Sequence, residues 1–466
     1  DNTTGDNNTA LGHSSLTNNT ASNNTAVGFA SLCANTSGAG NVALGYLTLC
    51  ANTTGSCNSG IGFRVLEKNT SGRYNSAIGQ SALFSNTTAC NNSAIGFNTL
   101  FSNTTGACNT ALGTCSLFAN TTGSSNVAVG TNALSANTEA TANVAIGRNA
   151  GDAITTGSCN VAIGFGSLTT NVIGAANVAV GRDTLANNTA NANIAVGHQT
   201  LVSNTTATGN TGLGYRSLYN NTTGALNTAV GYQTLRNNLV GGNNTSLGYR
   251  ALEDTTGSSN TGVGSCALFD NTSGENNTAV GKEALQNNTT ASNNTAVGYL
   301  SLFANTTGST NSAFGNYALY SNTTANDNNA FGYNALGLNT TGTNNVAMGR
   351  NALLNNTTAS ENTAIGKNAG CSNTTGTRNV ALGYFALQSN TTANDNIAVG
   401  KSALQNNTTG TANTSIGRNA LVSNTTANNN TAVGFCSLQA NTTGCQNVSL
   451  GSSALKSNTT ANENTA

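Results

Sequence analysis

The chain has 466 residues, with 15 basic and 15 acidic side chains, 54 Gly, no Pro and no Trp. Only 6% of the residues are charged, against roughly a quarter in ordinary globular proteins. The zero net charge argues against recruitment by nucleic acid or by an anionic membrane. No stretch approaches the roughly 18–20 consecutive apolar residues of a membrane-spanning helix, so membrane insertion of this segment is not expected.

A tripeptide of a small residue, a large apolar residue and glycine recurs along the whole chain. It starts at Ala10 and Ala26 and continues to Ser449, with a truncated copy at Ala466. Of the 27 intervals between successive starts, 24 are 17 residues long and three are 16. This spacing predicts a single continuous repeat domain over residues 1–466, cut from a longer repetitive chain.

The repeat unit reads N-T-A-V-G-x-x-A-L-x-x-N-T-T-G-x-x, and its positions are numbered slots 1 to 17 from the first Asn. Slot 5 is Gly in all 27 complete copies, and slot 9 is Leu in 25 of them. Seventeen residues leave no room for the two helices of a helical repeat. The sequence therefore predicts an all-β fold, a parallel β-solenoid (β-roll) with one repeat per coil and about 27 coils.

Each part of the repeat has an expected place in a coil. Because side chains alternate along a strand, an inward slot 4 turns slot 2 inward and slot 3 outward, and an inward slot 9 turns slot 8 outward. The Gly of slot 5 is expected at a corner that needs a positive φ or a close backbone approach. The Asn residues of slots 1 and 12 are expected to stack as amide ladders.

The small residues of slots 3 and 8 would then form two outward stripes of Ala and Ser. Such stripes suit close packing against another copy of the chain, which favours self-association as a homotrimer or filament. The alternative is a single solenoid, in which the Ala residues are simply tolerated by the turn geometry.

The pattern N-[TSV]-A-[VIL]-G resembles the head repeats of trimeric autotransporter adhesins of the YadA type, and related repeats of viral and phage fibres. The closest local matches are NSAIG at 75–79 and 92–96 and NVAIG at 143–147. The resemblance implies a left-handed β-roll, three chains around an axis, and a role in adhesion or as a fibre shaft. It also implies an extracellular, cell-surface or virion-surface location. The coil here is longer than the family's because of an inserted N-T-T-G turn.

Slot 6 is predicted to be exposed. It is the exposed slot that indicates most about function, because it is aromatic in many copies and Arg or Lys in several others. It is a candidate stripe for binding carbohydrate or a host or cell surface. The alternative is that the rings and cations stack along the solenoid or cover a subunit seam. The candidate aromatic residues are Phe29, Tyr46, Phe63, Phe97, Tyr215, Tyr232, Tyr249, Tyr299, Tyr333 and Tyr384.

The N-T-T turn of slots 12 to 14 contains an N-glycosylation acceptor sequence in many coils. Because it is the longest turn, it is expected to be exposed and to tolerate an attached glycan. The alternative is that its Asn and Thr side chains cap the turn through hydrogen bonds to the backbone. The candidate acceptors are Asn52, Asn86, Asn103, Asn305, Asn322, Asn339 and Asn373.

The eleven Cys residues are odd in number and occupy few slots. Cys33 and Cys50 share slot 10 in successive coils, which places them within disulfide range. Cys90 and Cys108 also lie in neighbouring coils, whereas small, Ser-like filling of polar slots accounts for most other Cys residues. Disulfide formation between any of these Cys residues would imply that the protein resides in an oxidising compartment.

No catalytic constellation is apparent. The two His residues, His13 and His198, both occupy slot 6, and neither has a nucleophile and a carboxylate placed beside it. No zinc, phosphate-loop or calcium-repeat spacing occurs. The sequence predicts a non-enzymatic structural or adhesive extracellular fibre, without a cofactor or a metal. The alternatives are an ice-binding solenoid with regular Thr rows and a virion or phage tail-fibre shaft that binds a receptor.

Overall fold

The computed structural model describes residues 4–466, and in that range it contains strands and turns but no helix. It follows that these residues include no helix able to cross a membrane. The chain divides into two compact units, Asp1–Val230 and Gly231–Ala466. The predicted all-β class is confirmed.

Every strand is three residues long and covers slots 2 to 4 of one repeat. Strands β1 to β14 belong to the first unit: Thr9–Leu11, Thr25–Val27, Val42–Leu44, Ser59–Ile61, Ser76–Ile78, Ser93–Ile95, Thr110–Leu112, Val127–Val129, Val144–Ile146, Val161–Ile163, Val178–Val180, Ile194–Val196, Thr211–Leu213 and Thr228–Val230. Strands β15 to β27 belong to the second: Thr245–Leu247, Thr261–Val263, Thr278–Val280, Thr295–Val297, Ser312–Phe314, Asn329–Phe331, Val346–Met348, Thr363–Ile365, Val380–Leu382, Ile397–Val399, Thr414–Ile416, Thr431–Val433 and Val448–Leu450.

Within each unit, consecutive strands pair in parallel and equivalent slots lie opposite each other. Ala26 of β2, for example, pairs with Ala43 of β3. The 16-residue coils keep this alignment, as the pairs of Thr9 with Thr25 and of Thr245 with Thr261 demonstrate. The missing residue is the exposed one at slot 14, where a deletion costs no core contact. The predicted parallel β-solenoid with one repeat per coil is confirmed.

The Gly of slot 5 ends each strand for two physical reasons. Its φ lies between +122° and +140° in every coil, a region that disfavours residues with a side chain. In addition, a Cβ placed on Gly45 would lie 2.0 Å from the carbonyl oxygen of Gly62 in the next coil. Both expected causes of the invariant Gly are therefore present.

The interior differs from the prediction at slots 2, 3, 4 and 8. Slot 2 faces outward, as at the exposed Ser76. Slot 3 is fully buried, as at Ala26, while slot 4 faces outward, as at Ile78, which is 44% exposed. Slot 8 is also buried, for example at Ala82. The prediction that slots 2 and 4 lie inside and slots 3 and 8 outside is wrong, and Val297 of slot 4 is consequently only half-buried. The inward position of slot 9 is confirmed.

Interior width explains the inversion. Each coil already encloses the Leu of slot 9 and two Asn side chains, so the facing strand has room only for a small residue. A Cβ added at Gly60 of slot 3 would lie 2.7 Å from Cγ2 of Thr48 and 3.4 Å from Cγ1 of Val65, both in slot 8. Slots 3 and 8 thus pack against each other, and a large side chain at slot 3 would overfill the coil.

The two predicted Asn ladders are confirmed. In slot 12, Nδ2 of Asn52 donates to Oδ1 of Asn35 at 2.7 Å and to the carbonyl of Gly55 at 2.9 Å. In slot 1, Nδ2 of Asn58 donates to Oδ1 of Asn41 at 3.1 Å and to the carbonyl of Gly72 at 2.9 Å. Because buried amides are costly when unpaired, these repeating bonds are what allow so polar an interior.

Candidate functional site

The outward side chains of slots 2 and 4, here called the strand face, form the main apolar surface of each unit. In the first unit Ile61, Ile78 and Ile95 of slot 4 are 41%, 44% and 45% exposed. In the second unit Met348 and Ile365 are each 41% exposed. Successive strands lie about 4.8 Å apart, so these side chains form one contiguous patch in each unit. Contiguous exposed apolar patches of this kind mark interaction surfaces.

The strand face carries no charge. None of the 27 strands contains an Asp, Glu, Lys or Arg residue. Where aromatic residues occupy slot 4 they stack on each other, as Phe314 and Phe331 do with ring centroids 4.9 Å apart. A second surface could therefore pack on this face without desolvating a charged group.

The structure places the slot-6 aromatic residues on the surface, partly exposed as predicted. Nine of the ten candidates are between 37% and 50% exposed, and Tyr215 is half-buried. Their rings stack from coil to coil with nearly parallel planes. Phe29 and Tyr46 have centroids 5.3 Å apart, and Tyr46 and Phe63 have centroids 5.1 Å apart.

Basic residues of slot 6 continue this stacking where a ring is absent. The ammonium groups of Lys367 and Lys401 lie 5.7 Å and 5.8 Å from the ring centroid of Tyr384, one from the coil before and one from the coil after. Arg350 lies 5.7 Å from the ring centroid of Tyr333. Neighbouring side chains thus cover the faces of these rings and leave mainly their edges to solvent. The stacking interpretation accounts for these contacts, while carbohydrate binding stays a prediction.

One aromatic group in this region was missed by the sequence analysis. Tyr317 of slot 7 contacts Tyr299 and Tyr333 edge-on, with centroids 5.5 Å and 6.1 Å away, across a coil whose slot 6 is Asn316. Loss of hydration, and then the neighbouring Tyr299, raise the pKa of Tyr317. The sequence signal would have been the Asn316-Tyr317 pair in a coil flanked by coils whose slot 6 is Tyr.

The candidate glycosylation sites are not exposed, contrary to expectation. All seven Asn side chains are at most 1% exposed, because slot 12 points into the coil: Asn52, Asn86, Asn103, Asn305, Asn322, Asn339 and Asn373. Nδ2 of Asn339 donates to Oδ1 of Asn322 at 3.0 Å and to the carbonyl of Gly342 at 2.9 Å. Both N–H groups of the side-chain amide that would carry the glycan therefore donate hydrogen bonds inside the coil. The exposed residue of this turn is the one in slot 14.

We expect folded, secreted chain to carry no N-linked glycan on slot 12. The acceptor nitrogen is enclosed, and a glycan attached before folding would prevent the ladder from closing. Glycopeptide mapping of material secreted by a eukaryotic host should find the slot-12 Asn residues unmodified, whether or not exposed acceptor sequences of slot 17, such as the one at Asn23, carry glycan. A folded fraction whose mass falls on glycosidase treatment, with the glycan mapped to slot 12, would contradict this expectation.

The structure brings Cys33 and Cys50 together, as their shared slot predicts. Their Sγ atoms are 2.8 Å apart, and the Cys33 thiol also donates to the carbonyl of Cys50 at 3.3 Å. Burial, followed by the hydrogen bond with Cys33, raises the pKa of Cys50 to about 12, so this thiol is protonated at neutral pH. A disulfide between them stays a prediction. Cys90 instead accepts a hydrogen bond from the backbone N–H of Arg73.

An ion pair recurs once in each unit and was also missed. In the sequence R-x-L-E, the Arg of slot 7 pairs with the Glu of slot 10, as Arg64 does with Glu67 and Arg250 with Glu253. Each guanidinium also lies over a slot-10 Phe of the next coil, 4.7 Å from the Phe84 centroid in the first case. The R-x-L-E string is the signal that could have revealed the pair. Because Glu253 is only 2% exposed, its pairing keeps a buried carboxylate satisfied.

The remaining titratable residues do not gather into a site. His13 and His198 stack on the next slot-6 ring, with centroids 5.4 Å and 5.6 Å apart. Within residues 4–466, no group of three or more His, Cys, Asp and Glu side chains could hold a metal ion.

Comparison with known proteins gives no relative. No protein-family model matches the sequence. A search of curated proteins finds none that is similar to it.

Proposed function

We propose that this chain is a structural subunit of an extracellular or virion-surface fibre, and that it self-associates through the strand face. The observation that carries the proposal is the uncharged, half-exposed apolar row of slot 4, which repeats in coil after coil. A monomer gains nothing from exposing such a row, whereas burying it against other copies removes apolar area from water.

The size of the strand face supports this role. With strands about 4.8 Å apart and about 3.3 Å per residue, the 13 strands of the second unit offer a face of about 600 Å². A standard interface buries about 800 Å² per partner, so the strand face of one unit supplies most of a stable contact. The near absence of charge on the chain also leaves little electrostatic repulsion between copies.

The resemblance to YadA-type head repeats and to viral fibre repeats supports an extracellular or virion-surface location. It also makes the homotrimer the assembly to test first. Attachment to a host or cell surface, with carbohydrate as one ligand class, would be the adhesive form of the same function.

We expect light scattering on the purified chain in reducing buffer to give a mass near 140 kDa, three times the chain mass of 46.5 kDa. Ile78→Lys combined with Ile95→Lys and Ile365→Lys should convert the assembly to monomer without changing the circular dichroism. The matched control introduces Lys at Thr88, Thr105 and Thr375, which are exposed in slot 14. A natively folded wild-type monomer would refute self-association.

One observation favours ice binding as a second candidate. In the second unit, β15 to β18 place four Thr residues of slot 2 opposite one another, Thr245, Thr261, Thr278 and Thr295. Their hydroxyls and methyls form a regular outward row beside the aliphatic row of slot 4. Thermal hysteresis that is lost on replacing Thr261 and Thr278 with Lys would support this candidate over the fibre.

A further inference from the structure

Three of the eleven Cys residues are exposed, and they share one position in the repeat. Cys57, Cys108 and Cys159 are the exposed Cys residues, whereas the other eight are buried or half-buried. All three occupy slot 17, and they adopt the same left-handed backbone conformation, with φ of 57°, 59° and 61°. They therefore form a column of equivalent thiols, here called the thiol column, on the surface of the first unit.

The thiol column is evenly spaced. Successive members are 51 residues apart, which is three 17-residue coils. Three coils correspond to about 14 Å along the solenoid. A disulfide requires Cα atoms about 4.4–6.8 Å apart, so these thiols cannot pair with one another in the same chain.

The surroundings of the column are mostly of low relief. Four of its slot-17 neighbours, Gly40, Ser125, Ala142 and Ala176, are small, whereas Tyr74, in the coil after Cys57, is 60% exposed and Asn91 precedes Cys108. A Cβ placed on Gly40 would lie 3.5 Å from Sγ of Cys57, so this thiol borders an uncovered backbone segment. Slots 17, 2 and 4 are the outward positions that alternate with the buried slots 1 and 3. The column therefore runs along the border of the strand face.

Equal spacing has a geometric consequence for pairing between chains. Because the three thiols are evenly spaced, the columns of two chains align at all three positions whether the chains run parallel or antiparallel. A second copy of the chain can thus align all three thiols at once, whereas an unrelated partner would need the same spacing by coincidence. An odd number of Cys residues also points to pairing between chains.

We propose that the thiol column forms inter-chain disulfides with the same column of a second copy of this chain. The inference rests on the proposed self-association along the bordering strand face. It pairs two copies related by a two-fold axis, because that symmetry brings the same column of both chains together, whereas around a three-fold axis one column of every three stays unpaired. The oxidant is a small-molecule disulfide such as oxidised glutathione. A thiolate of one chain attacks it, forming a mixed disulfide and releasing one thiol. The second chain's thiolate then displaces the other thiol, so two protein thiols lose two protons and two electrons and the small disulfide gains them.

The test is oxidation of the full chain with oxidised glutathione, followed by non-reducing electrophoresis and peptide mapping. We expect a reducible species of about 93 kDa, twice the 46.5 kDa chain. The mapped links should join Cys57, Cys108 and Cys159 only to one another, either like with like or Cys57 with Cys159 and Cys108 with itself.

The variant with Ser at Cys57, Cys108 and Cys159 should lose at least nine-tenths of the covalent dimer. Ser already occupies slot 17 at Ser125, so the fold should tolerate it. The matched control places Ser at Cys115, Cys266 and Cys436, the slot-7 thiols, and should retain the dimer. Glutathione adducts without cross-links, or cross-links through other Cys residues, would overturn the proposal.

Light scattering under reducing conditions separates this proposal from the proposed function. A non-covalent assembly that forms normally but yields no slot-17 cross-links would refute the disulfides alone. A monomer in reducing buffer that still cross-links through the thiol column would refute assembly through the strand face alone.

Discussion

Replacing Ala77 with Asp is expected to destabilise its coil by at least about 3 kcal/mol, whereas Asp at the adjacent Ile78 should cost less than about 1 kcal/mol. Hydrophobicity alone would predict the opposite order, with the larger loss of stability at Ile78. Ala77 is fully buried, so a carboxylate there would lose its hydration. Ile78 is 44% exposed, so its replacement keeps the new charge in water.

Hydrogen exchange at the backbone amide of Gly96 provides a local measurement, because this amide donates to the carbonyl of Ile78 at 2.8 Å. Exchange should accelerate strongly in Ala77→Asp and only slightly in Ile78→Asp. Ala77→Ser is the control, since Ser415 occupies the same slot and donates to the carbonyl of Ala420 at 2.8 Å. Equal protection losses in the two Asp variants would mean that both slots lie inside.

The solenoid could be predicted from the sequence because the spacing of Gly and Leu leaves few alternatives. An invariant Gly every 17 residues requires equivalent backbone corners, and equivalent Asn residues in successive coils must meet. The direction of the strand could not be predicted in the same way. Alternation establishes that slots 3 and 4 face opposite sides, but the choice between them depends on how much volume the coil encloses. The side chain of Ala26 fits that volume and the side chain of Val27 does not. Because Val is the more hydrophobic of the two, hydrophobicity alone assigned the wrong residue to the interior.

Features of the surface could be predicted only where they follow from the slot that a residue occupies. Cys33 and Cys50 share a slot, so their proximity follows from the repeat. The burial of Asn339 also follows from the ladder, yet the turn around it suggested exposure because N-T-T is a polar sequence. The position of Tyr317 depends on the rotamer it adopts beside Asn316, which one-dimensional spacing does not specify. Side-chain direction is thus the information that the repeat alone lacked.

Two coils depart from the Leu of slot 9, and they do so in different ways. In one coil Gly151 is accompanied by Ile154 in slot 12, and the Ile side chain fills the space that Leu would occupy. The cost is a broken ladder, because Oδ1 of Asn137 has no hydrogen-bond partner. In the other coil Gly370 keeps Asn373 in slot 12, with its ladder bond to Asn356 intact at 2.9 Å. Slot 12 therefore supplies no apolar side chain in place of the missing Leu there.

The interior around Gly370 is less tightly filled than the interior around Gly151. A Cβ at Gly370 would lie 3.0 Å from Cδ2 of Leu353, and its next nearest atoms, Cβ of Ala364 and Cγ of Leu353, would both be 3.8 Å away. The two neighbouring Leu residues, Leu353 and Leu387, keep 2% and 1% exposure, whereas the Leu residues on either side of Gly151 have none. The φ of Gly370 is 56°, close to the 45–54° of the Leu residues in this slot, so the backbone has not collapsed into the space.

Gly370→Leu is therefore expected to stabilise its coil by about 1–3 kcal/mol, the gain from filling a Leu-sized gap less the cost of a left-handed Leu. Gly151→Leu should destabilise by a similar amount, because its Cβ would be pressed by two side chains, 3.0 Å from Cδ1 of Ile154 and 3.2 Å from Cδ2 of Leu134, whereas a Cβ at Gly370 has one such close contact. Adding Ile154→Asn to Gly151→Leu restores the common repeat and should recover the loss. Denaturant midpoints and local hydrogen exchange measure all three variants. If both Gly→Leu substitutions shifted stability in the same direction, the gap at Gly370 would not exist.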